Sequence, residues 1–416
     1  MKKKELAKLI GYSIVQATRV LFDRIGDLIG NSLPFLPAKA LELPRLNELL
    51  GHHSVPGNDA EPNEIRLPLS AIKVRDVKSI SSNCQNLILD VQQAGSRDSA
   101  EPGENSVFLK LPMNSLPTHW FFALIGSWQL ESYFCRHIAP RIPFRTPITF
   151  ATYAKGTRFF IAQENLLDDP MVTLFTNLDM QQGPSLDLVH QCLDTFAQLH
   201  ASHFDLSADQ REQILPLKYH PFLGRQTGRV SQALNTYALK PCIKKAPGRI
   251  PKPIEDAYVK SLQHWEELLE YWFSGSLTLL HGDSHLGNFF VSGDDMGMLD
   301  FQAVHWGRGT RDVQYFLTDS LPVEVLADNE RDLIKYYVER RAHHGAPIDF
   351  DDCWYEYRGF AYHSLMTIVV SIGFGALNEE QDNLMLELLD RSVAAAERLD
   401  YPRWLDSFLE ANLHDK

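Results

Sequence analysis

The sequence predicts an α+β chain of two unequal lobes, a small antiparallel-sheet lobe followed by a mainly helical one. Two patterns carry that expectation. Short apolar runs at 87–91, 107–112 and 158–163 read as strands, and all three fall in the first part of the chain. Later, apolar residues recur at helical spacing over 255–273, 324–344, 354–374 and 379–399. At 416 residues, 44% of them hydrophobic, the chain can fill one small and one larger core.

The elements follow in order. Lys2, Lys3 and Lys4 precede an apolar-rich stretch in which Leu6, Leu9, Ile10, Ile14, Ala17, Leu21, Ile25 and Leu28 recur at helical spacing, interrupted by Arg19, Asp23, Arg24 and Asp27. This pattern is an amphipathic helix, and neither a signal peptide nor a transmembrane span. Its apolar face is expected to pack on the body of the chain or on a second copy in a homodimer. Peripheral membrane contact through anionic lipid is the alternative. A short helical segment at 44–50 and a polar linker at 52–63 come next, so the chain divides into 1–66 as helix and linker, 67–166 as sheet lobe, and 167–416 as helical lobe. Between the strands, residues 120–137 form one helical stretch. Residues 203–265 read as irregular, with a basic patch at 240–249.

Charge and cysteines exclude several classes. The net charge is -13, which gives no electrostatic support for nucleic-acid binding. Cys84, Cys135, Cys192, Cys242 and Cys353 are an odd number without C-x-x-C pairs, the pattern of reduced thiols in a cytoplasmic protein.

The chemistry concentrates in His281-Gly282-Asp283-Ser284-His285-Leu286-Gly287-Asn288 and in Leu299-Asp300-Phe301-Gln302. Residues 289–291 read as a strand, 292–297 as a turn, and 298–299 as the return strand, which brings Asn288 and Asp300 side by side at the open end of a hairpin. The D-x-x-x-x-N spacing of Asp283 and Asn288, followed by a second carboxylate, suits phosphoryl transfer, which depends on positioning and charge neutralisation around the γ-phosphate. Asp283 would receive the proton of an incoming hydroxyl, while Asn288 and Asp300 would hold Mg²⁺, a hard cation that takes oxygen ligands. The expected activity is ATP-dependent phosphotransfer to a small-molecule hydroxyl acceptor.

These motifs, with Leu199-His200-Ala201 upstream and the run from Gly309 to Leu317 downstream, resemble the aminoglycoside phosphotransferase and choline kinase superfamily, and Leu299-Asp300-Phe301-Gln302 resembles its ecdysteroid-kinase-like branch. The resemblance implies a two-lobed protein-kinase-like fold. It further implies a strand lysine, Lys110, that holds the α/β-phosphates of ATP and is itself held by a helix glutamate, Glu131. Glu164-Asn165-Leu166 resembles the superfamily's hinge tripeptide, where Glu164 and Leu166 would meet adenine through the backbone. Ser81, Ser82 and Asn83 occupy the place of the phosphate-covering loop, although no glycine is present there. That departure supports the alternative of an inactive kinase-like binding protein. The variable region of such enzymes, here 203–265, helps to close the acceptor pocket.

Two rival chemistries are weaker. His281, Asp283 and His285 imitate a zinc cluster, but that reading leaves Asn288 and the second motif unexplained. Gly282-Asp283-Ser284 imitates a nucleophile block, but there is no Gly-x-Ser-x-Gly elbow.

Overall fold

Strands form early in the chain because apolar side chains alternate there, and the computed structural model shows how they pair. It describes residues 3–28, 41–55, 68–75, 84–93, 106–113, 115–224, 226–375 and 379–414. The chain folds as two units, Met1–Thr173 with Phe301–Ala303, and Leu174–Asp300 with Val304–Lys416.

In the first unit β1 (Leu69–Arg75), β2 (Cys84–Gln93), β3 (Ser106–Pro112), β4 (Thr149–Lys155) and β5 (Arg158–Glu164) form one sheet in the order β1-β2-β3-β5-β4. Every neighbouring pair is antiparallel. Leu87, Leu89 and Val91 of β2 share a face with Val107, Leu109 and Leu111 of β3, and cross-strand pairs such as Leu87 with Leu109 set the register. Helix Leu43–His52 covers that face with Leu46, Leu49 and Leu50. The opposite face meets helix Ser127–His137, where Trp128 stacks on Phe159 at 4.8 Å and Ser132 Oγ lies 2.7 Å from Thr152 Oγ1. At the far end of that helix Arg136 donates to the carbonyls of His53, Ser54 and Thr152.

Two expectations need correction here. The single helical stretch over 120–137 is two helices, Leu116–Ile125 and Ser127–His137, because Gly126 adopts φ +76° and caps the first. The N-terminal helix, Lys3–Leu28, does pack on its own unit, but by its mixed polar face. Tyr12 donates to the Leu124 carbonyl, Asp23 accepts from the Thr157 backbone and hydroxyl, and Gln16 and Val20 are buried. Ile10, Ile14, Leu21 and Ile25, expected inside, are exposed.

A short strand, β6 (Val172–Leu174), precedes the helical part of the chain. In the second unit β7 (Thr278–Leu280) pairs with β10 (His305–Gly307), and β8 (Phe289–Ser292) forms a hairpin with β9 (Asp295–Met298). The return strand is thus earlier than expected, ending before Leu299. Helix Phe350–Phe374 is the centre of this unit and packs against Thr227–Lys245, Thr310–Ser320 and Glu379–Arg398. Its first turn is capped by Asp349, which accepts from the Asp351 and Asp352 backbones. The segment expected to be irregular holds the helices Ala208–Ile214, Thr227–Lys245 and Lys252–Gln263.

Candidate active site

Lys110 sits on the central strand β3 with its side chain on the face opposite to Leu109 and Leu111. It is 6% exposed, and an ammonium so placed requires a compensating charge. Glu131, in the helix that covers this face, is 3% exposed and its Oε1 lies 2.6 Å from Lys110 Nζ. Both partners are buried, so removal of either takes from the other its ion-pair partner in a buried place.

The segment after β5 is fixed by its polar groups. Glu164 has its carboxylate on Arg145, accepts from the Ile148 backbone N–H at 3.2 Å, and donates its own N–H to the Ile148 carbonyl. Asn165 donates to Ser106 Oγ at 2.9 Å, and Leu166 is buried. Asp168 receives Arg75 and the Ser106 hydroxyl, and the Arg75 hydrogen bond holds its carboxyl below the usual range. Ser81, Ser82 and Asn83 lie outside the described residues. Phe301, which follows Asp300, belongs to this unit and stacks on Phe134 with ring centres 3.8 Å apart.

The second unit carries the loop. Its anchor is Asp312, in helix Thr310–Ser320, which accepts from the backbone N–H groups of His281 at 2.6 Å and Gly282 at 3.0 Å. Ser284 Oγ adds a bond of 3.0 Å to the Asp312 carbonyl. Burial pushes the Asp312 carboxyl up, but the His200 hydrogen bond and the Arg311 charge outweigh it and hold the group below its ordinary value. His200 is itself driven down by burial and serves as a neutral donor at 3.4 Å, with its Nδ1 against the Tyr337 hydroxyl at 2.7 Å. Glycine is needed at 309, since a Cβ there would lie 2.8 Å from both His200 Nδ1 and the Tyr337 hydroxyl.

His281 ties the two motifs together. Its Nε2 donates to the Leu299 carbonyl at 2.9 Å, and its Nδ1 accepts from the Asp283 backbone at 3.3 Å. Both ring nitrogens are therefore engaged, which disfavours the zinc reading. Leu299 N–H donates to the Asn288 carbonyl at 2.9 Å, so the hairpin closes with Asn288 beside the Leu299-Asp300 turn. Asn288 Nδ2 donates to the Asp283 carbonyl at 2.7 Å, which orients the amide and leaves Oδ1 as the end suited to a hard cation. Asp300 adopts φ +63°, a left-handed conformation that a short polar residue tolerates best. An amide oxygen and a carboxylate at the open end of one hairpin fit a magnesium ion.

Behind the loop the structure reveals a residue that sequence reasoning passed over. Asp319 is buried, its Oδ2 has no hydrogen-bond partner, and burial together with the Asp283 charge raises its pKa to about 6 against the opposing charges of His285 and Arg391. His285 Nδ1 is likewise buried without a partner. The available signal was spacing, because 312 and 319 are seven apart and share one face of a helix. Arg311 is also internal; its guanidinium reaches His305 Nε2 at 2.8 Å and His363 Nε2 at 2.7 Å, and burial lowers its pKa to about 10, which leaves it charged.

The family comparison agrees with the resemblance read from the Leu299-Asp300-Phe301-Gln302 motif. Among solved structures the chain is similar to a choline kinase from Cryptosporidium parvum Iowa II (11% identity, 90% of this chain and 97% of that one, TM-score 0.48). It is also similar to an ethanolamine kinase from Plasmodium vivax (12%, 84% and 94%, TM-score 0.46). An amicoumacin kinase in complex with AMP-PNP, Ca²⁺ and Ami gives 14%, 86% and 94%, with TM-score 0.45. No curated protein matches the chain. The family match covers residues 143–345 and so leaves Lys110 and Glu131 upstream of it. Residues 143–345, which include β5, the Asp283 loop, the β8–β9 hairpin and the helix of Asp312, carry the pattern of the ecdysteroid kinase-like family.

Proposed function

We propose that the chain is an ATP-dependent small-molecule kinase that transfers the γ-phosphate to an alcohol. The observation that carries this reading is the clamp of His281 and Asp312, which holds Asp283, Asn288 and the Leu299-Asp300 turn in one hydrogen-bonded group. Asp283 orients the acceptor hydroxyl and takes its proton as the oxygen bonds to the γ-phosphorus, while the bond from that phosphorus to the β-γ bridging oxygen breaks and ADP leaves. Asn288 Oδ1 and the Asp300 carboxylate would hold Mg²⁺, which would neutralise charge on the transferring phosphate. Lys110, kept in place by Glu131, binds the α/β-phosphates, and the backbone of Glu164 to Leu166 receives adenine.

The test is to incubate the purified chain with Mg-ATP and panels of hydroxylated small molecules, read by ADP release and by the mass of a phosphoryl adduct. Transfer to any alcohol, lost in Asp283→Asn, supports the reading. A second reading rests on the glycine-free stretch between Lys78 and Asn86, which favours a kinase-like binding protein. Nucleotide binding without transfer to any acceptor would favour that reading.

A further inference from the structure

We propose that helix Lys3–Leu28 is a docking surface for an anionic lipid bilayer. The observation is an inversion of the usual amphipathic packing. The face that meets the protein is the mixed polar one: Tyr12, Gln16, Val20 and Asp23 lie against the unit, and Asp23 is consumed by Thr157 and Arg158. The face turned to solvent is apolar. Ile10, Ile14, Val15, Leu21, Phe22 and Ile25 are 43% to 68% exposed, and their three-, four- and seven-residue spacings place them on one side of about 140° of arc. Isolated exposed apolar residues are ordinary, but six on one stripe mark an interaction site.

The occupant follows from charge. Among the described helix side chains, Leu6 to Gly26, the exposed positions include two cations, Lys8 and Arg19, and no carboxylate. Residues 2–5, just before, are three further lysines and one glutamate, and Asp27 follows, so residues 1–28 hold six Lys and Arg against three Asp and Glu. This asymmetry extends along the chain: residues 1–173 hold 19 Lys and Arg against 17 Asp and Glu, whereas the remainder holds 21 against 36. The chain is acidic, yet the unit that displays the apolar stripe is slightly basic. A stripe of this kind with cations along its edge suits the boundary of anionic headgroups and acyl chains. Trp120, partly exposed beside the helix, donates Nε1 to the Ser13 carbonyl and has the amphipathic ring that favours the same boundary. A second copy fits less well, since a two-fold contact through this stripe would bring the exposed Lys8 and Arg19 of one copy toward those of the other, and the exposed described positions of the helix include no carboxylate. Among the described residues no helix is long and apolar enough to cross a membrane, so this one would lie along the surface.

The test is co-sedimentation of the full chain with vesicles of phosphatidylcholine alone and of phosphatidylcholine mixed with phosphatidylserine, with light scattering of the free protein alongside. Binding to the mixed vesicles is expected, reduced tenfold or more by Ile14→Asp with Phe22→Asp, by Lys8→Glu with Arg19→Glu, and by high salt. Because Ile14 and Phe22 are exposed, the melting temperature of the Ile14→Asp with Phe22→Asp variant should equal that of the parent, and the nucleotide-binding behaviour of both variants should be unchanged. Undiminished binding in either variant, or no binding to anionic vesicles, overturns the proposal. A dimer that the same substitutions dissociate overturns it as well and gives the stripe to a second copy.

Discussion

Asp312 and His281 stand 31 residues apart in sequence, yet the carboxylate of the first accepts the backbone N–H of the second at 2.6 Å. The same carboxylate takes the Gly282 N–H, so one buried helix residue fixes the start of the loop that presents Asp283. Asp312 acts through that loop, as a positioning residue. Asp312→Ala leaves two buried donors unanswered and should cost about 3 kcal/mol or more of stability. Asp312→Asn retains an acceptor oxygen and should cost about half as much. In Asp312→Asn, turnover should fall while the KM for ATP stays nearly constant. Denaturant titration and steady-state kinetics check the two parts separately, and an unchanged kcat would remove the positioning role.

The Lys110–Glu131 pair gives a sharper test, because its structural and binding roles can be separated. Lys110→Met leaves a buried carboxylate without its cation and should destabilise the fold by about 3–5 kcal/mol. Replacing both, as Lys110→Met with Glu131→Leu, removes the stranded charge and should recover most of that loss. Nucleotide binding should not recover, since the proposed phosphate-binding lysine is gone. Calorimetry of Mg-ATP binding on the double variant decides; normal affinity there would make the pair purely structural.

Asp283 and Asp300 should fail in different ways. Asp283→Asn keeps shape and loses the base, so Mg-ATP should still bind while turnover drops roughly 10²- to 10⁴-fold. Asp300→Asn lowers the charge at the proposed metal site, so nucleotide affinity should fall with the rate, and excess Mn²⁺ should restore part of both. Glycine at 300 is the informative control. It removes the carboxylate while accepting the φ of +63° without strain, so Asp300→Gly should be inactive yet at least as stable as Asp300→Asn.

Asp319 predicts a pH effect of definite sign. Its folded pKa of about 6 lies above the ordinary carboxylate value, so the native state binds the extra proton. Between about pH 4 and pH 6 the folded chain therefore holds more protons than the unfolded one, and stability falls as pH rises through that window and then levels off. The full effect is on the order of 2–3 kcal/mol. Asp319→Asn should flatten that segment, raising the melting temperature at pH 7.5 while leaving it nearly unchanged at pH 4. Identical pH profiles for parent and variant would show that the carboxyl is not held in its neutral form.

What the sequence made legible tracks how local the cause is. The hairpin after Asn288 can be read because Phe289, Phe290 and Val291 precede a Gly-Asp turn within a few residues. A helix around Glu131 can be read from apolar spacing, but its start cannot, since the break rests on the left-handed backbone of Gly126 in the middle of an unbroken apolar pattern. Helix Thr227–Lys245 escapes because its buried stripe is built of small residues such as Ala233 and Ala238, and because Pro241 lies inside it. Ala238 meets Gly373 of the central helix, a close approach that needs little side chain and so leaves a weak hydrophobic signature. The N-terminal helix is found, but its orientation is not. Periodicity shows that a helix has an apolar face, and only the polar partners at Leu124, Thr157 and Arg158, more than a hundred residues away, determine which way that face turns.

Arg136 has a consequence for how such a protein is controlled. Its three carbonyl contacts fasten the end of helix Ser127–His137 to strand β4 and to the chain just after Leu43–His52, while Trp128 is stacked on Phe159 near the other end. The glutamate that holds Lys110 therefore rides on an element bolted at both ends. Regulation by an outward swing of that element would have to break a guanidinium clamp, an aromatic stack and a buried ion pair together. The Lys110–Glu131 pair is thus already formed in the resting molecule, so a kinase built this way would be governed by when donor and acceptor arrive.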